Sequence, residues 1–453
     1  MFLRNLGLSV GVVALSISFG ASAFSQSLDE ALVRAYNANP TLNAQRAATR
    51  VTDENVPQAL SGYRPTITAT GDISAERQVA DGKGVSTVPR GVGIEVGQTL
   101  FDGFRTANSV RAAESGVLAA RAVLANTEQN ILLNGVEAYM NVLRDVALLN
   151  LQTNNVQVLD EQLRQTNDRF AVGDVTKTDV GQANARLEAA KSSMLAAKAN
   201  LKSSRAVFRQ IIGSDPKNLK GARPLSKLLP KSLDSALAEA LDNHPAIIAA
   251  LHGVDAATLQ IKVAEGALYP TVSATASLTQ RFEPSSQVNE VTTGTIGARI
   301  SIPIFEGGLN YSKTRAAKET LSQRRIEADE TREQVRAAVV SAWGGLESAT
   351  AQIEAANAQV AAAELALSGV REEAKAGQRT TLDVLNAQQE VLNAKVNLVT
   401  AQRDRVVASY SLASAVGRLS AKRLGLKVAT YDAKVHYEQV RNKWIGTSTP
   451  DGQ

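Results

Sequence analysis

Pro65-Thr66 recurs as Pro270-Thr271, and Ser27-Leu28-Asp29 as Ser232-Leu233-Asp234, each pair 205 positions apart. Asn39-Pro40 has its counterpart in His244-Pro245 at the same spacing, and Ala69-Thr70 in Ala274-Thr275. After one residue of slippage the offset becomes 204 and holds. Phe101-Asp102-Gly103 matches Phe305-Glu306-Gly307, Arg111-Ala112-Ala113 matches Arg315-Ala316-Ala317, and Gly173, Thr176, Asp179 and Gly213 match Gly377, Thr380, Asp383 and Gly417. Chance does not hold an offset over so many positions. The chain is a tandem duplication of 27–213 and 232–417, so any fold assigned to one half must serve the other.

Proline then divides each half. None occurs between Pro89 and Pro216, or between Pro303 and Pro450. Proline removes a backbone donor and breaks helices, so these gaps are where long helices can run. Within them Val339, Leu346, Ile353, Val360 and Leu367 recur every seven residues, with Ala342, Ala349, Ala356, Ala363 and Val370 three places on. Val384, Val391, Leu398, Arg405 and Leu412 follow beside Ala387, Ala394, Ala401, Ala408 and Ala415. The first half has Val180, Leu187, Met194, Leu201 and Phe208 beside Ala183, Ala190 and Ala197. A sustained heptad marks helices packed along their length, and alanine in the seam lets their backbones approach closely. A helix from 103 to 171 would extend roughly 100 Å, too long for a globular core. It must lie along others of similar length, with the chain reversing at Gly173 and Gly377.

Ahead of each long helix the period changes from 3.5 to 2. Ile67, Ala69, Ile73 and Ala75 alternate with Thr68, Thr70, Asp72 and Ser74, and Val92, Ile94 and Val96 with Gly93, Glu95, Gly97 and Thr99. In the second half Val272, Ala274, Ala276 and Leu278 alternate with Ser273, Thr275, Ser277 and Thr279, and Ile296, Ala298, Ile300, Ile302 and Ile304 with Gly297, Arg299, Ser301 and Pro303. Runs of about ten residues with this alternation fit tilted transmembrane strands as well as a half-buried soluble sheet. Four strands leave open edges, which lipid does not tolerate. Copies must therefore join to close a barrel. Two copies would give a filled interior, and three would give twelve strands around a lumen. The segments Gln78–Arg90 and Phe282–Thr293 read as polar outer loops.

The rest of the composition narrows the function. With Cys 0, neither a disulfide framework, a Cys-ligated metal nor a lipidated N-terminal cysteine is available. The three histidines, His244, His252 and His436, suggest no metal site, and aromatic content of 4% is thin for a stacked cofactor. The formal charge of +5 is dispersed, which argues against nucleic acid. Gly91-Val92-Gly93-Ile94-Glu95-Val96-Gly97 places glycines within a strand, not in a phosphate loop before a helix. Neither an enzyme nor a resident cofactor is expected.

Arg4, the apolar run Leu6 to Phe19 and Ala21-Ser22-Ala23 form an export signal with cleavage before Phe24. No later run of ~18 consecutive apolar residues reads as a membrane helix. The expected organisation is a signal peptide over 1–23 and a first repeat over 24–213, with strands 66–77 and 91–100 and helices about 103–171 and 177–212. A linker over 214–231 follows. The second repeat, 232–417, has strands 271–281 and 294–304 and helices about 308–375 and 380–416. A polar tail, 418–453, is expected to pack around the middle of the helices. The fold class is mainly α with a β-barrel part: four membrane strands per chain and a long antiparallel coiled-coil tunnel. A secreted or surface coiled-coil scaffold or adhesin without a pore is the alternative.

Two tip motifs join the heptad segments: Arg169-Phe170-Ala171-Val172-Gly173-Asp174-Val175-Thr176, followed by Thr178-Asp179-Val180, and Ala376-Gly377-Gln378-Arg379-Thr380-Thr381-Leu382-Asp383-Val384-Leu385-Asn386. With the duplication and the strand-pair-then-helix order, they resemble the TolC family of outer-membrane factors, most closely its α-proteobacterial efflux members. The resemblance covers essentially the whole mature chain. It implies a homotrimer in outer-membrane lipid, with a twelve-stranded barrel and a tunnel reaching into the periplasm. Its partners would be a periplasmic adaptor (membrane fusion protein) and an inner-membrane transporter, for efflux or type I secretion. Gate residues carried over are Arg379, bridging to a neighbouring subunit near Thr178 and Asp179, and Asp383, forming a carboxylate ring. The family's tyrosine is Ala374 here and its second aspartate is Asn386, so one gate link is absent and the ring has three carboxylates in place of six. Val172, Val175 and Leu382, with Gly173, Thr176, Gly377 and Thr380, correspond to adaptor-docking tips.

Overall fold

The computed structural model describes residues 26–450. The expected signal over 1–23 and its cleavage before Phe24 lie outside the described residues. The first half contains α1 (Leu28–Ala38), α2 (Pro40–Asp53), α3 (Asn55–Leu60), a 3-10 turn (Ser61–Tyr63), β1 (Thr66–Ile73), β2 (Glu76–Ala80), β3 (Lys83–Thr87), β4 (Arg90–Phe101), α4 (Arg105–Ala171) and α5 (Lys177–Ile212). The second contains α6 (Leu233–Asn243), α7 (Pro245–Gly266), β5 (Thr271–Ser285), β6 (Val288–Ser301), α8 (Leu309–Lys375) and α9 (Thr381–Ala415). A last helix, α10 (Ala433–Val440), lies in the tail.

Helices α4 and α8 each have 67 residues, about 100 Å at the α-helical rise. Their partners α5 and α9 have 36 and 35 residues, so they cover only the lower half. Along the upper half α2 and α3 lie on α4, and α7 lies between α4 and α8. The heptad residues form the seams. Leu187 and Ala190 pack with Leu159, and Leu367 packs with Val384 and Val391. Arg405, at an apolar heptad position, is exposed.

Upper and lower helices meet end to end at the two X-Pro motifs. The Asn39 side chain accepts from the backbone of Thr41 and Leu42, capping α2, and its Nδ2 donates to the Ile211 carbonyl at the end of α5, at 3.0 Å. His244 does the same between α7 and α9. Its Nδ1 accepts from Ala246 at 3.2 Å, and the ring hydrogen-bonds the Ser414 backbone. Gly417 ends α9 at φ 82°, where a Cβ would stand 3.2 Å from His244 Cα. The stretch 233–266 has membrane-helix length and hydropathy over part of its course, but His244-Pro245 breaks it and α7 packs along other helices.

The four-stranded sheet is antiparallel in the order β1-β4-β5-β6. Its register puts Ile67, Val96, Ala276 and Ile296 in one row and Ala69, Ile94 and Leu278 in the next. These two adjacent rows form an apolar band on one face, and Ile67, Ile296 and Leu278 are exposed on it at 72%, 91% and 58%. The opposite face bears Thr70, Gly93 and Thr279 in one row. A Cβ on Gly93 would come within 2.9 Å of Thr279 and 3.2 Å of Thr70, so side chains converge on this polar side. Among the described residues, both β1 and β6 carry an edge with no strand beyond it within the chain.

Four expectations need correction. The strand expected over 66–77 ends at Ile73, and Glu76 and Arg77 belong to β2 in a separate sheet. The segment 78–90 is no open loop: β2 and β3 form a separate hairpin around Asp81-Gly82, both at positive φ, as a two-residue turn with right-handed strand twist requires. Strands β5 and β6 extend through most of 282–293 to a turn after Ser285. At the other end β6 stops at Ser301 and excludes Ile302–Ile304, since Pro303 has no N–H for the ladder. The helices α1, α2, α3, α6 and α7 were not anticipated, although Ser27 with Glu30 and Ser232 with Ser235 form capping boxes at two of their starts.

The tail does more than wrap the middle. Leu419 and Ala421 are buried, and their amides donate to Gln129 Oε1 (3.2 Å) and Glu128 Oε1 (2.8 Å) on α4. Tyr431 N donates to the Tyr36 hydroxyl, and His436 Nδ1 lies 3.0 Å from Asp53 Oδ2. Arg441 pairs with Glu114 at 3.0 Å, and Arg64 Nη1 donates to the Lys443 carbonyl at 2.9 Å. The α4 partners fall from 129 to 114 as the tail advances, so it climbs the helix to the base of β1. At the middle, the buried Tyr139 hydroxyl shares its one proton between the carbonyls of Gln26 (2.8 Å) and Lys220 (2.6 Å), and burial pushes this phenol up to about 12.

Candidate functional site

The two helical reversals are built alike. Gly173 N bonds Phe170 O at 3.0 Å, and Asp174 N bonds Arg169 O at 2.9 Å. At the second, Gly377 N bonds Ala374 O at 3.1 Å, and Gln378 N bonds Glu373 O at 2.9 Å. This pairing is the Schellman arrangement, which needs a left-handed residue after the last turn. Gly173 and Gly377 meet that need at φ 82° and 75°. Three residues later each return helix begins with a capping box. Thr176 N and Oγ1 donate to Asp179 Oδ2 at 2.8 and 2.7 Å, and Thr380 N and Oγ1 to Asp383 Oδ2 at 3.0 and 2.9 Å. The Thr176 hydrogen bonds hold the Asp179 carboxyl below the ordinary aspartate value, and those of Thr380 do so for Asp383.

Each reversal is also closed by its own ion pair, with the signs exchanged. Arg169 Nε meets Asp174 Oδ2 at 2.7 Å, and Arg379 Nε meets Glu373 Oε2 at 2.8 Å. The Glu373 hydrogen bond raises the Arg379 guanidinium above its usual value. Within the chain Arg379 does not reach Thr178 or Asp179. Its observed partner is Glu373. Asp383 and Asp179 are equivalents that share one local task, holding a helix start, and Thr178 is exposed on the first turn of α5.

Asn386 turns to the other hairpin. Arg186 Nη2 on α5 donates to Asn386 Oδ1 on α9 at 2.9 Å. The adjacent Leu385 is buried among Leu159, Leu187 and Ala190. Neither Arg186 nor Leu385 stands out in the sequence, because both act through contacts between repeats. Below this contact a cavity of about 490 Å³ opens between the hairpins, lined by Gln165, Arg169, Arg371, Lys375, Thr381 and Val384 among others. Ala374, where the resembled family carries a tyrosine, also borders it. At the extremity Val172 is 80% exposed and Leu382 36% exposed, and Val175 is half-buried.

Chemically, the arrangement is a pair of capped turns, each closed by an ion pair, with apolar side chains at their extremities. Among the described residues no cluster of His, Asp and Glu is placed to hold a metal. His252 lies 3.4 Å from Asp255 on the same helix.

The sequence pattern of the family described as "Outer membrane efflux protein" matches residues 31–214 and 236–418, one match to each repeat. The chain is 44% identical over 436 residues to the outer membrane efflux protein BepC of Brucella suis, covering 96% of this chain and 94% of that protein. It is 25% identical over 434 residues to the outer membrane protein TolC of Escherichia coli, covering 90% of this chain and 86% of that protein. The crystal structure of the Campylobacter jejuni CmeC outer membrane channel superposes with a TM-score of 0.80 at 17% identity, covering 92% of this chain and 89% of that one.

Proposed function

This chain belongs to the outer membrane efflux protein family, and we propose that three copies form a passive outer-membrane channel-tunnel, the exit duct of an efflux or type I secretion assembly. The observation that supports this reading most is the sheet. It has an apolar band on one face, a polar face and two open edges, and it runs directly into helices about 100 Å long. A membrane sheet with open edges needs neighbours, and side-by-side copies would pair β6 of one with β1 of the next. The same lateral order continues below, with α8 at one flank and α5 at the other. A pore-free scaffold would have no use for the apolar face.

The tips form the periplasmic entrance in this reading. Val172, Val175 and Leu382, with the turns around Gly173, Thr176, Gly377 and Thr380, would meet a periplasmic adaptor, which in turn engages an inner-membrane transporter. Arg379, Asp383, Asp179, Thr178 and Asn386 lie beside that entrance and would control its closure. Transport here needs no catalytic group, since a duct lowers no chemical barrier and the energy comes from the transporter. Purified protein reconstituted into planar bilayers should give discrete conductance steps. Protein that stays soluble without detergent and never conducts would overturn the reading. Cross-linking in membranes followed by pull-down should recover an adaptor and a transporter.

A further inference from the structure

The base of the barrel collects aromatic side chains in a chain that has few. Tyr63, Phe104, Tyr269, Phe305, Tyr311 and Trp444 are each more than half exposed. Five of them flank strand ends or open a long helix. Trp444 comes from the tail. It is brought there by Arg64, which lies two residues before β1, donates to the Lys443 carbonyl at 2.9 Å and sits 4.7 Å from the Trp444 ring centroid. Next to it Ile445 is 88% exposed. The tail climbs α4 through buried and ion-paired contacts, yet it ends with two large apolar side chains left exposed.

A protein facing only water gains nothing from that ending. At the edge of an apolar strand face, the same pair suits the boundary between headgroups and acyl chains. Trp belongs there because its ring is apolar and its N–H needs a polar partner. Arg64 and Lys443 bring positive charge to the same level, where lipid phosphates lie. We propose that Lys443-Trp444-Ile445 is a lipid anchor, seating the end of the tail in the periplasmic leaflet of the outer membrane. This rests on the channel reading, because the apolar strand face sets the level of the lipid.

The test uses the two tryptophans of the chain. Trp343 lies on α8, 34 residues beyond Leu309 and so about 50 Å below the barrel. Trp343→Phe leaves Trp444 as the reporter in the full-length protein. It is reconstituted into phosphatidylethanolamine/phosphatidylglycerol vesicles whose conductance is verified first. Phospholipids brominated near the top of the acyl chain should quench Trp444 emission at least twofold more than those brominated near its end. Quenching by aqueous iodide with none by brominated lipid would overturn the anchor and leave the channel reading intact. Quenching by neither would also overturn it, placing the ring against a neighbouring copy. Vesicles that never conduct would overturn both. Ile445→Cys carrying an environment-sensitive dye, with Trp343 retained, gives the same reading by blue shift: a dye that emits as in water contradicts the anchor.

Discussion

Arg186 and Asn386 stand 200 residues apart, yet a 2.9 Å hydrogen bond joins them across the two helical hairpins. Beside it Leu385, 2% exposed, fills the seam of the opposite hairpin against Leu187. One hairpin is thus held to the other by a polar contact and an apolar peg on consecutive residues, a short way above the tips. Any outward swing of either hairpin has to break both.

Arg186→Ala should therefore loosen the closed entrance. An exposed hydrogen bond of this kind contributes about 1 kcal/mol at most, so the closed-to-open ratio should fall by a factor of about five or less. Asn386→Asp, which turns the contact into an ion pair, should shift the ratio the other way. Single-channel recordings read both. Arg379→Ala is the comparison: its pair with Glu373 lies within one tip, so conductance will change only if the guanidinium also acts on a neighbouring copy. Unchanged conductance in Arg186→Ala and Asn386→Asp would remove this contact from gating.

Asp383 and Asp179 hold their helix starts in the same way, which makes each the control for the other. Asp383→Ala should reduce block of the pore by divalent or trivalent cations, because a carboxylate ring at a constriction attracts them. Asp179→Ala should lose the same capping bonds and leave block unchanged. Equal block in Asp383→Ala and the parent would take this carboxylate out of the lumen. Both carboxyls titrate below the ordinary value, so what they add to tip stability is present above about pH 4 and is lost as the pH falls through their folded values.

His244 does in the second repeat what Asn39 does in the first. Nδ1 must stay unprotonated to accept from Ala246, and burial lowers the ring from 6.5. The unfolded chain therefore takes up this proton first. Stability contributed here is present above pH 6.5 and declines as the pH falls toward the folded value. His244→Asn should keep the cap and remove that part of the acid sensitivity, whereas His244→Ala should cost about 1 kcal/mol at neutral pH. Thermal unfolding between pH 5 and 8 measures both, and an unchanged pH slope in His244→Asn contradicts the assignment.

Much of the architecture was legible because it is set by periodicity and by local turns. The heptads around Val384 and Leu187, the proline-free gaps and the glycines at 173 and 377 each act on their own stretch of chain. The Thr176/Asp179 and Thr380/Asp383 boxes are equally local: a capping role is readable at Asp179, and at Asp383, where the motif suggests a solvated turn or a gate carboxylate, the structure shows the same box. What sequence could not yield depends on pieces far apart. Arg186 finds Asn386 only after both hairpins have formed. Trp444 gains its level from Arg64, at the opposite end of the chain, and the in-line meeting of α9 with α7 at His244 needs the whole second repeat in place.

The central claim is that three copies close one barrel through β1 and β6. These strands are the two ends of a four-stranded sheet, so with ~4.8 Å between neighbours they lie roughly 14 Å apart within a chain. A disulfide spans only about 4.4–6.8 Å between Cα atoms, and the natural chain has no cysteine to interfere. Oxidation of membranes bearing paired substitutions on the polar face across the edges, Thr68→Cys, Thr70→Cys or Asp72→Cys combined with Thr293→Cys, Thr295→Cys or Gly297→Cys, should yield, for the pairs in register, a covalent ladder that ends at three chains. A ladder ending at two or four, or monomer alone for every pair, would contradict it.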